Sequence, residues 1–221
     1  MTYSVLARDP QTGTIGGVAT TGSYCVGGWV LRGDIKAGLS ASQGASASTI
    51  LGEQMQTQLN IGDSPDTIIQ SIQKKDQGLD YRQISLLTVE GKTAVYSGKN
   101  NEIIVDDFYE ENFVISGNML GSDQVISSIK DYYHNADIDI PLAVRLLECL
   151  KVGAKAGGDK RGLLSAAMLI LHPDHAPLNL RIDHHENPIT ELNHLYQKVT
   201  SGDYYEWTQT VPTRNNPYRF K

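Results

Sequence analysis

Cysteine is nearly missing from this chain, with two in 221 residues. Cys25 and Cys149 are too few for a disulfide framework or, by themselves, a thiolate metal site, and Cys149 falls on the apolar face of a helix-like segment, so a reducing compartment is expected. Basic clusters are missing too. Nothing longer than Lys74-Lys75 or Lys160-Arg161 occurs, and with a formal net charge of −6 nucleic acid is not an expected partner. No stretch approaches about 18 consecutive apolar residues, and the N-terminus has neither a basic nor an apolar targeting segment, so the chain is expected to be cytoplasmic, with no membrane span. No G-x-x-x-x-G-K-[ST] or G-x-G-x-x-G precedes a helix, and Ser4, Ser116 and Ser165 lie in no G-x-S-x-G elbow. Nucleotide chemistry has no support, and no cofactor is expected.

Histidine is the exception to this scarcity. His172, His175, His184 and His185, with Asp174, Asp183 and Glu186, offer the ligand types of a zinc site. Their spacing does not. A turn centred near His175 sets His172 opposite Asn179, and His184, further along at about 3.3 Å per residue, then lies roughly 16 Å away. No metal is expected.

What is present is a folded domain's worth of patterned sequence, 40% hydrophobic and 20% charged. Tyr3–Ala7 and Thr14–Ala19 are short apolar segments around a turn at Asp9-Pro10-Gln11-Thr12-Gly13, and read as a β-hairpin. After a Gly-rich stretch from Gly22 to Gly28, residues 35–43 read as one strand. From Ser48 the period becomes helical, with Ile50, Leu51, Met55 and Leu59 on one face; Ser64-Pro65 opens a second helix. Residues 83–89 and 93–97 form a second hairpin around Glu90-Gly91-Lys92, and residues 113–116 a further strand. Ser122 caps a helix to about Tyr133, and Asp139 precedes another whose buried stripe is Leu142, Leu146, Leu147 and Leu150, ending at Gly157-Gly158. Residues 165–171 and 178–182 read as a last hairpin, and residues 188–196 as a last helix.

Strands grouped in hairpins imply antiparallel sheets, and amphipathic helices must cover their outer faces. The expected fold is α+β, a four-layer αββα sandwich of two antiparallel sheets, in one domain over residues 1–199. Residues 200–221 read as an aperiodic tail carrying Tyr204, Tyr205, Trp207, Tyr218 and Phe220. Aromatics of that size seek a surface, so the tail is expected to pack on a neighbouring subunit, giving a homodimer, or on the outer helices.

Thr2 follows Met1 directly. Aminopeptidases remove an initiator Met before a small residue, which would leave a hydroxyl and a free α-amine on one residue. An α-amine has a pKa of about 7.7 to 8.0, so the pair is a self-contained nucleophile and base. The plain alternative is that Thr2 only begins a strand.

Four blocks of sequence, in order, add to this reading. They are Thr2–Asp9, Gly117-Asn118-Met119-Leu120, Ala156–Gly162 with Ser165-Ala166-Ala167, and Leu180-Arg181-Ile182-Asp183 before Pro188, Leu192 and Tyr196. Together they resemble the bacterial and archaeal domain-of-unknown-function 1028 family. The resemblance implies an Ntn-hydrolase-like fold, whose enzymes cleave amide bonds with an N-terminal Thr, Ser or Cys, and so points to Thr2 as nucleophile of a hydrolase acting on a small polar amide. The alternative is a non-catalytic member of the same fold that binds a ligand or oligomerises. Asn118, behind Gly117, is the candidate oxyanion donor, or else the two are a turn pair ending their strand. Gly157–Gly162 either caps a helix and turns, or binds a substrate carboxylate and tunes the Thr2 amine through Asp159, with Gly158, Lys160 and Arg161 on the substrate. Gly117, and Gln43 closing its strand, join the substrate-binding candidates. Asp9 orients the N-terminus or starts the first turn. Two departures from the family pattern stand out: Gly22 where relatives carry a Lys or His, and Gly44–Ser48 where they carry a bulkier stretch.

Overall fold

Asp9 builds the first turn. Its Oδ1 accepts the backbone N–H of Gln11 (2.9 Å) and Thr12 (3.3 Å), and Gly13 supplies a φ of 72° that few residues with a Cβ adopt. The strands it joins are β1 (Thr2–Arg8) and β2 (Ile15–Thr21), antiparallel with Thr2 opposite Thr21 and Arg8 opposite Ile15. This computed structural model describes residues 2–102, 104–159 and 161–220. There follow α1 (Val26–Trp29), β3 (Leu31–Asp34), β4 (Gly38–Gln43), α2 (Thr49–Asn60), α3 (Pro65–Lys75), β5 (Gln83–Thr88), β6 (Thr93–Ser97), β7 (Asp106–Glu110) and β8 (Phe113–Asn118). The rest of the chain forms α4 (Gln124–Asn135), α5 (Leu142–Lys155), β9 (Ser165–Leu171), β10 (Leu178–Ile182), α6 (Pro188–Val199) and α7 (Gly202–Thr208).

The fold is α+β, with an antiparallel six-stranded sheet in the order β10-β9-β2-β1-β8-β7 and a four-stranded one in the order β3-β4-β5-β6. Strand β1 records how they stack. Tyr3, Val5 and Ala7 pack with residues of α4, α5 and α6, whereas Leu6 packs with Leu39, Ala41 and Leu87 of the other sheet. Both faces are covered, so apolar residues stand at consecutive positions from Val5 to Ala7. On the far face of the second sheet, Ile84 and Leu86 of β5 meet Met55 of α2 and Ile68 of α3. The layers therefore run helix, sheet, sheet, helix. The expected stripe of α5 is buried, at Leu142, Leu146, Leu147 and Leu150, each such side chain contributing about 1.5–3 kcal/mol of transfer free energy.

Some local expectations are corrected. The strand expected over residues 35–43 begins only at Gly38, and a further strand, β3, precedes it. Asp34 accepts the N–H of Lys36 on Oδ1 (2.8 Å) and that of Ala37 on its carbonyl (3.1 Å), turning the chain between β3 and β4. Gly38 re-enters the sheet at φ 137°, where a Cβ would collide with the Leu87 carbonyl. The Gly-rich stretch holds the short helix α1, and β7 is an edge strand absent from the sequence reading. In the last hairpin Asn179 faces Leu169, not His172, because the turn centres near Asp174. Among the described residues no group of three or more His, Cys, Asp or Glu is placed to hold a metal ion, and no helix is long and apolar enough to cross a membrane.

The C-terminal segment is more ordered than its sequence suggests. It opens with α7 and returns to the β9–β10 turn, where Asn215 N–H reaches the Pro173 carbonyl (3.1 Å) and its Nδ2 reaches Asp174 Oδ1 (2.7 Å). Its aromatics are not covered within one chain: Tyr204 is 54%, Trp207 57%, Tyr218 90% and Phe220 84% exposed.

Candidate functional site

The layer between the sheets changes character along its length. Side chains alternate along a strand, so Thr2, Ser4 and Leu6 of β1 face the second sheet, flanked by Thr21 on β2 and by Asn118, Ser116 and Val114 on β8. From the other sheet Gln43 and Gln83, opposite each other in register, enter the same end as Thr2. One end of the layer is apolar and the other is a buried polar cluster. Ser4 Oγ and Ser116 Oγ are 3.1 Å apart, and Thr2 Oγ1 donates to Thr21 Oγ1 at 3.1 Å.

Backbone carbonyls give this cluster a direction. Gln83 Nε2 lies within hydrogen-bond distance of the carbonyl oxygens of Gly117 (3.1 Å) and Asp106 (3.2 Å) and of Ser97 Oγ (2.8 Å). A carbonyl only accepts, so the nitrogen of Gln83 must point there and its oxygen inward. Gln83 Oε1 then accepts from Gln43 Nε2 (2.8 Å) and Asn118 Nδ2 (3.1 Å), and Gln43 Nε2 also reaches the carbonyls of Ser116 (3.1 Å) and Thr2 (3.4 Å). Two acceptors are left over. Gln43 Oε1 and Asn118 Oδ1 are buried and without a hydrogen-bond partner among the described residues, a condition that costs about 1–3 kcal/mol each. Asn118, expected from the sequence as an oxyanion donor, thus turns its amide nitrogen to Gln83 and leaves an acceptor spare.

In front of this cluster opens a cavity of about 290 Å³, walled by Thr2, Thr21, Gln43, Tyr24, Trp29 and Arg161 among others. Met119, also on its wall, holds a left-handed φ of 53° directly after β8, an uncommon conformation for a side-chain-bearing residue. The small residues Gly44, Ala45 and Ala47 line the same cavity.

The loop after α5 reaches the same end of the sheet. Gly158 N–H bonds the Gly153 carbonyl (2.9 Å) and Gly157 N–H that of Ala154 (3.3 Å), with Gly157 at φ 140°, so the paired glycines close the helix as a Schellman motif. The next residue, Asp159, bridges to Leu120 beyond β8. Its carboxylate accepts the N–H of Gly22 (2.6 Å) and of Arg161 (2.7 Å), and Arg161 Nη2 (3.1 Å). Gly22 is required at this contact, because a Cβ there would run into Asp159 Oδ2 and the Gly162 carbonyl. Gly22 is therefore matched to its partner: the carboxylate of Asp159 fills the space a side chain would take.

Burial would raise the Asp159 pKa, but the hydrogen bonds from the Arg161 side chain and backbone and from Gly22 outweigh it, and the net shift is downward. A lowered carboxyl pKa adds stability above the ordinary value of about 3.9, and that stability is lost as pH falls through the lower, folded-state value. Thermal midpoints measured from about pH 6 to pH 2.5 are expected to fall less steeply for Asp159→Asn than for the parent chain in the acid part of that window. Superimposable profiles would contradict the assignment.

Of the residues singled out in the sequence, Thr2, Gln43 and Arg161 meet on one cavity. Asn118 lies behind them as the cross-strand partner of Thr2, and Asp159 is joined to them through Gly22 and Arg161. Gly117 is not brought to the cavity, since it faces Leu120 and Ile126 on the helical side. Gly158 borders a separate cavity of about 410 Å³ near the start of α6. Lys160 lies outside the described residues. Asp9 is at the other end of β1 and belongs to the turn and to Arg145. Gln83, Thr21, Tyr24 and Trp29 are members that sequence reading missed; the one signal for Gln83 is a lone amide opening an apolar strand.

The family model described as "Family of unknown function (DUF1028)" matches residues 2–192. The chain belongs to the DUF1028 family. Among solved structures, this DUF1028 chain is similar to the crystal structure of protein SPO2555 from Silicibacter pomeroyi, itself matched by the DUF1028 family model, with 44% sequence identity and a TM-score of 0.93 over 99% of this chain and 95% of that one. No curated protein matches. The matched region of this DUF1028 chain includes Thr2, on the wall of the cavity.

Proposed function

We propose that this chain is an N-terminal-nucleophile amidohydrolase of the Ntn-hydrolase-like superfold, acting through Thr2 once Met1 has been removed. The observation that carries the reading is the place of Thr2: it opens a central strand of the six-stranded sheet, faces the layer between the sheets, and stands on the wall of the cavity with its Oγ1 bonded only 3.1 Å from Thr21 Oγ1. The helix, sheet, sheet, helix order supports the superfold.

The chemistry is that of a hydroxyl and an amine on one residue. The α-amine, directly or through a water, takes the Oγ1 proton as Oγ1 adds to the substrate carbonyl carbon. Collapse of the tetrahedral intermediate breaks the C–N bond, the departing nitrogen takes the proton back, and an ester on Thr2 remains. Water, deprotonated by the same amine, hydrolyses the ester to a carboxylic acid and restores Thr2. The cavity suits a small polar amide: about 290 Å³, with Arg161 as the cation on its wall and Tyr24 and Trp29 beside it.

A second reading is a non-catalytic ligand-binding or oligomerising member of the same fold, and Gly22 favours it, because no side-chain cation is available at that position to lower the amine pKa. Intact mass of the natively produced protein separates the two. A chain lightened by one Met residue is expected; complete retention of Met1 rules out Thr2 as an N-terminal nucleophile.

A further inference from the structure

The three buried amides beside Thr2 form a one-way chain. Gln83 is fixed by the carbonyls of Gly117 and Asp106, and it in turn fixes Gln43 and Asn118, nitrogen inward on both. The remaining oxygens, Gln43 Oε1 and Asn118 Oδ1, are shielded from solvent and lack a donor among the described residues. A buried acceptor without a donor is costly, and two at one place are a demand for N–H groups. Both belong to residues that touch Thr2: Gln43 reaches its carbonyl at 3.4 Å and Asn118 is its register partner. The Thr2 hydroxyl cannot meet the demand, since its proton goes to Thr21 Oγ1.

The geometry points to Gln83 as a positioning residue whose bonds hold Gln43 Oε1 and Asn118 Oδ1 as a seat for the N–H groups of the α-amine that Thr2 carries once Met1 is gone. The assignment rests on the amidase reading above and adds to it the means by which the amine is oriented. Holding the nitrogen by its N–H groups fixes its rotation about the Cα–N bond. The lone pair that must take the Oγ1 proton is then fixed as well. The charged groups on the surrounding elements are Asp159 behind Gly22, Arg161 at the cavity wall, the two paired with each other, and Asp107 beyond Ser97. Strands β4, β5 and β8 carry no charged residue, Arg8 stands at the far end of β1, and the Asp106 side chain turns outward on the edge strand β7, so the seat itself is neutral.

Two acceptors favour the ammonium over the neutral amine and so raise its pKa; losing them lowers it. A chain released from an N-terminal fusion by a protease that cuts directly before Thr2 carries the free amine whatever happens to Met1 in the native host. Competitive acetylation across pH, read by mass spectrometry, gives the amine pKa. In Gln83→Met the midpoint is expected to fall by roughly one unit, while Gln83→Glu, which keeps an acceptor for both amides, is expected to stay at or above the parent value. An unchanged midpoint in Gln83→Met overturns the assignment. A crystal structure of the released parent chain tests it without a variant: the α-nitrogen should lie within about 3.2 Å of both oxygens, and a nitrogen turned away from both ends the proposal. Met1 retained in the native protein would sink the amidase while these measurements on the released chain still decide the seat. Amide hydrolysis that persists with the midpoint unmoved would keep the amidase and remove Gln83 from it.

Discussion

Thr2→Ala is expected to reduce acyl transfer to background, a loss of up to roughly a million-fold for a group that is both nucleophile and the point of covalent attachment. The fold should hardly notice. Thr2 is half-buried and donates one hydrogen bond, to Thr21, so the change costs on the order of 1 kcal/mol. The measurement does not depend on knowing the natural amide. An activated ester such as p-nitrophenyl acetate should give a burst of p-nitrophenol with the processed chain and a matching acetyl adduct on the peptide that begins at Thr2. Thr2→Ser keeps both functional groups and is expected to keep the burst, more slowly or faster, whereas Thr2→Ala is expected to give neither burst nor adduct. An adduct elsewhere in the chain, or equal bursts from parent and Thr2→Ala, would end the proposal that Thr2 is the nucleophile.

That experiment could be framed from the sequence because Thr2 carries its signal in its position. The fold was legible for a similar reason. Residues 83–88, 93–97, 165–171 and 178–182 are apolar runs between turn residues, and each is a strand with nearly the boundaries its sequence suggests. Helices α2 and α3 are announced by Ser48 and Ser64, whose hydroxyls accept the N–H of Leu51 and Thr67. What stayed hidden depends on contacts between distant residues. Residues 31–34 form a strand ahead of the expected one, which stayed hidden because the turn after it is made by Asp34 rather than by a Gly or Pro pair. Strand β7 is polar and exposed along much of its length, and it is a strand only because β8 lies beside it. In the candidate site the same division holds. Gln83 could not be chosen from a chain with many amides; its meaning comes from two carbonyls on other strands that decide which way its nitrogen points. Asn118 could be chosen, but not its orientation, so a donor was expected where an acceptor is left free.

Arg145→Met is expected to cost about 3–5 kcal/mol, the usual penalty for leaving one partner of a buried ion pair alone. Arg145 and Asp9 have side chains only 3% and 7% exposed, and Nη2 meets Oδ2 at 3.2 Å. The guanidinium also donates from Nε to the Ile140 carbonyl (3.0 Å) and lies 5.4 Å from the centre of the Tyr133 ring, which stacks on Phe113 at 3.9 Å. Removing it strips a buried carboxylate of its counter-charge and loosens the contact between α5, α4 and the start of β8. Asp9→Asn keeps an oxygen for the Gln11 and Thr12 N–H groups and removes the charge, so the double variant Asp9→Asn/Arg145→Met should recover part of the loss, a coupling that a double-mutant cycle in urea reads directly. The pair stands at the far end of β1 from Thr2, seven residues at about 3.3 Å each or roughly 23 Å away. Folded Arg145→Met should therefore acylate at Thr2 at the parent rate while its urea midpoint drops. If acylation fell in step with stability under conditions where the chain is fully folded, Asp9 would act on the N-terminus after all and the separation of the two ends of β1 would not hold.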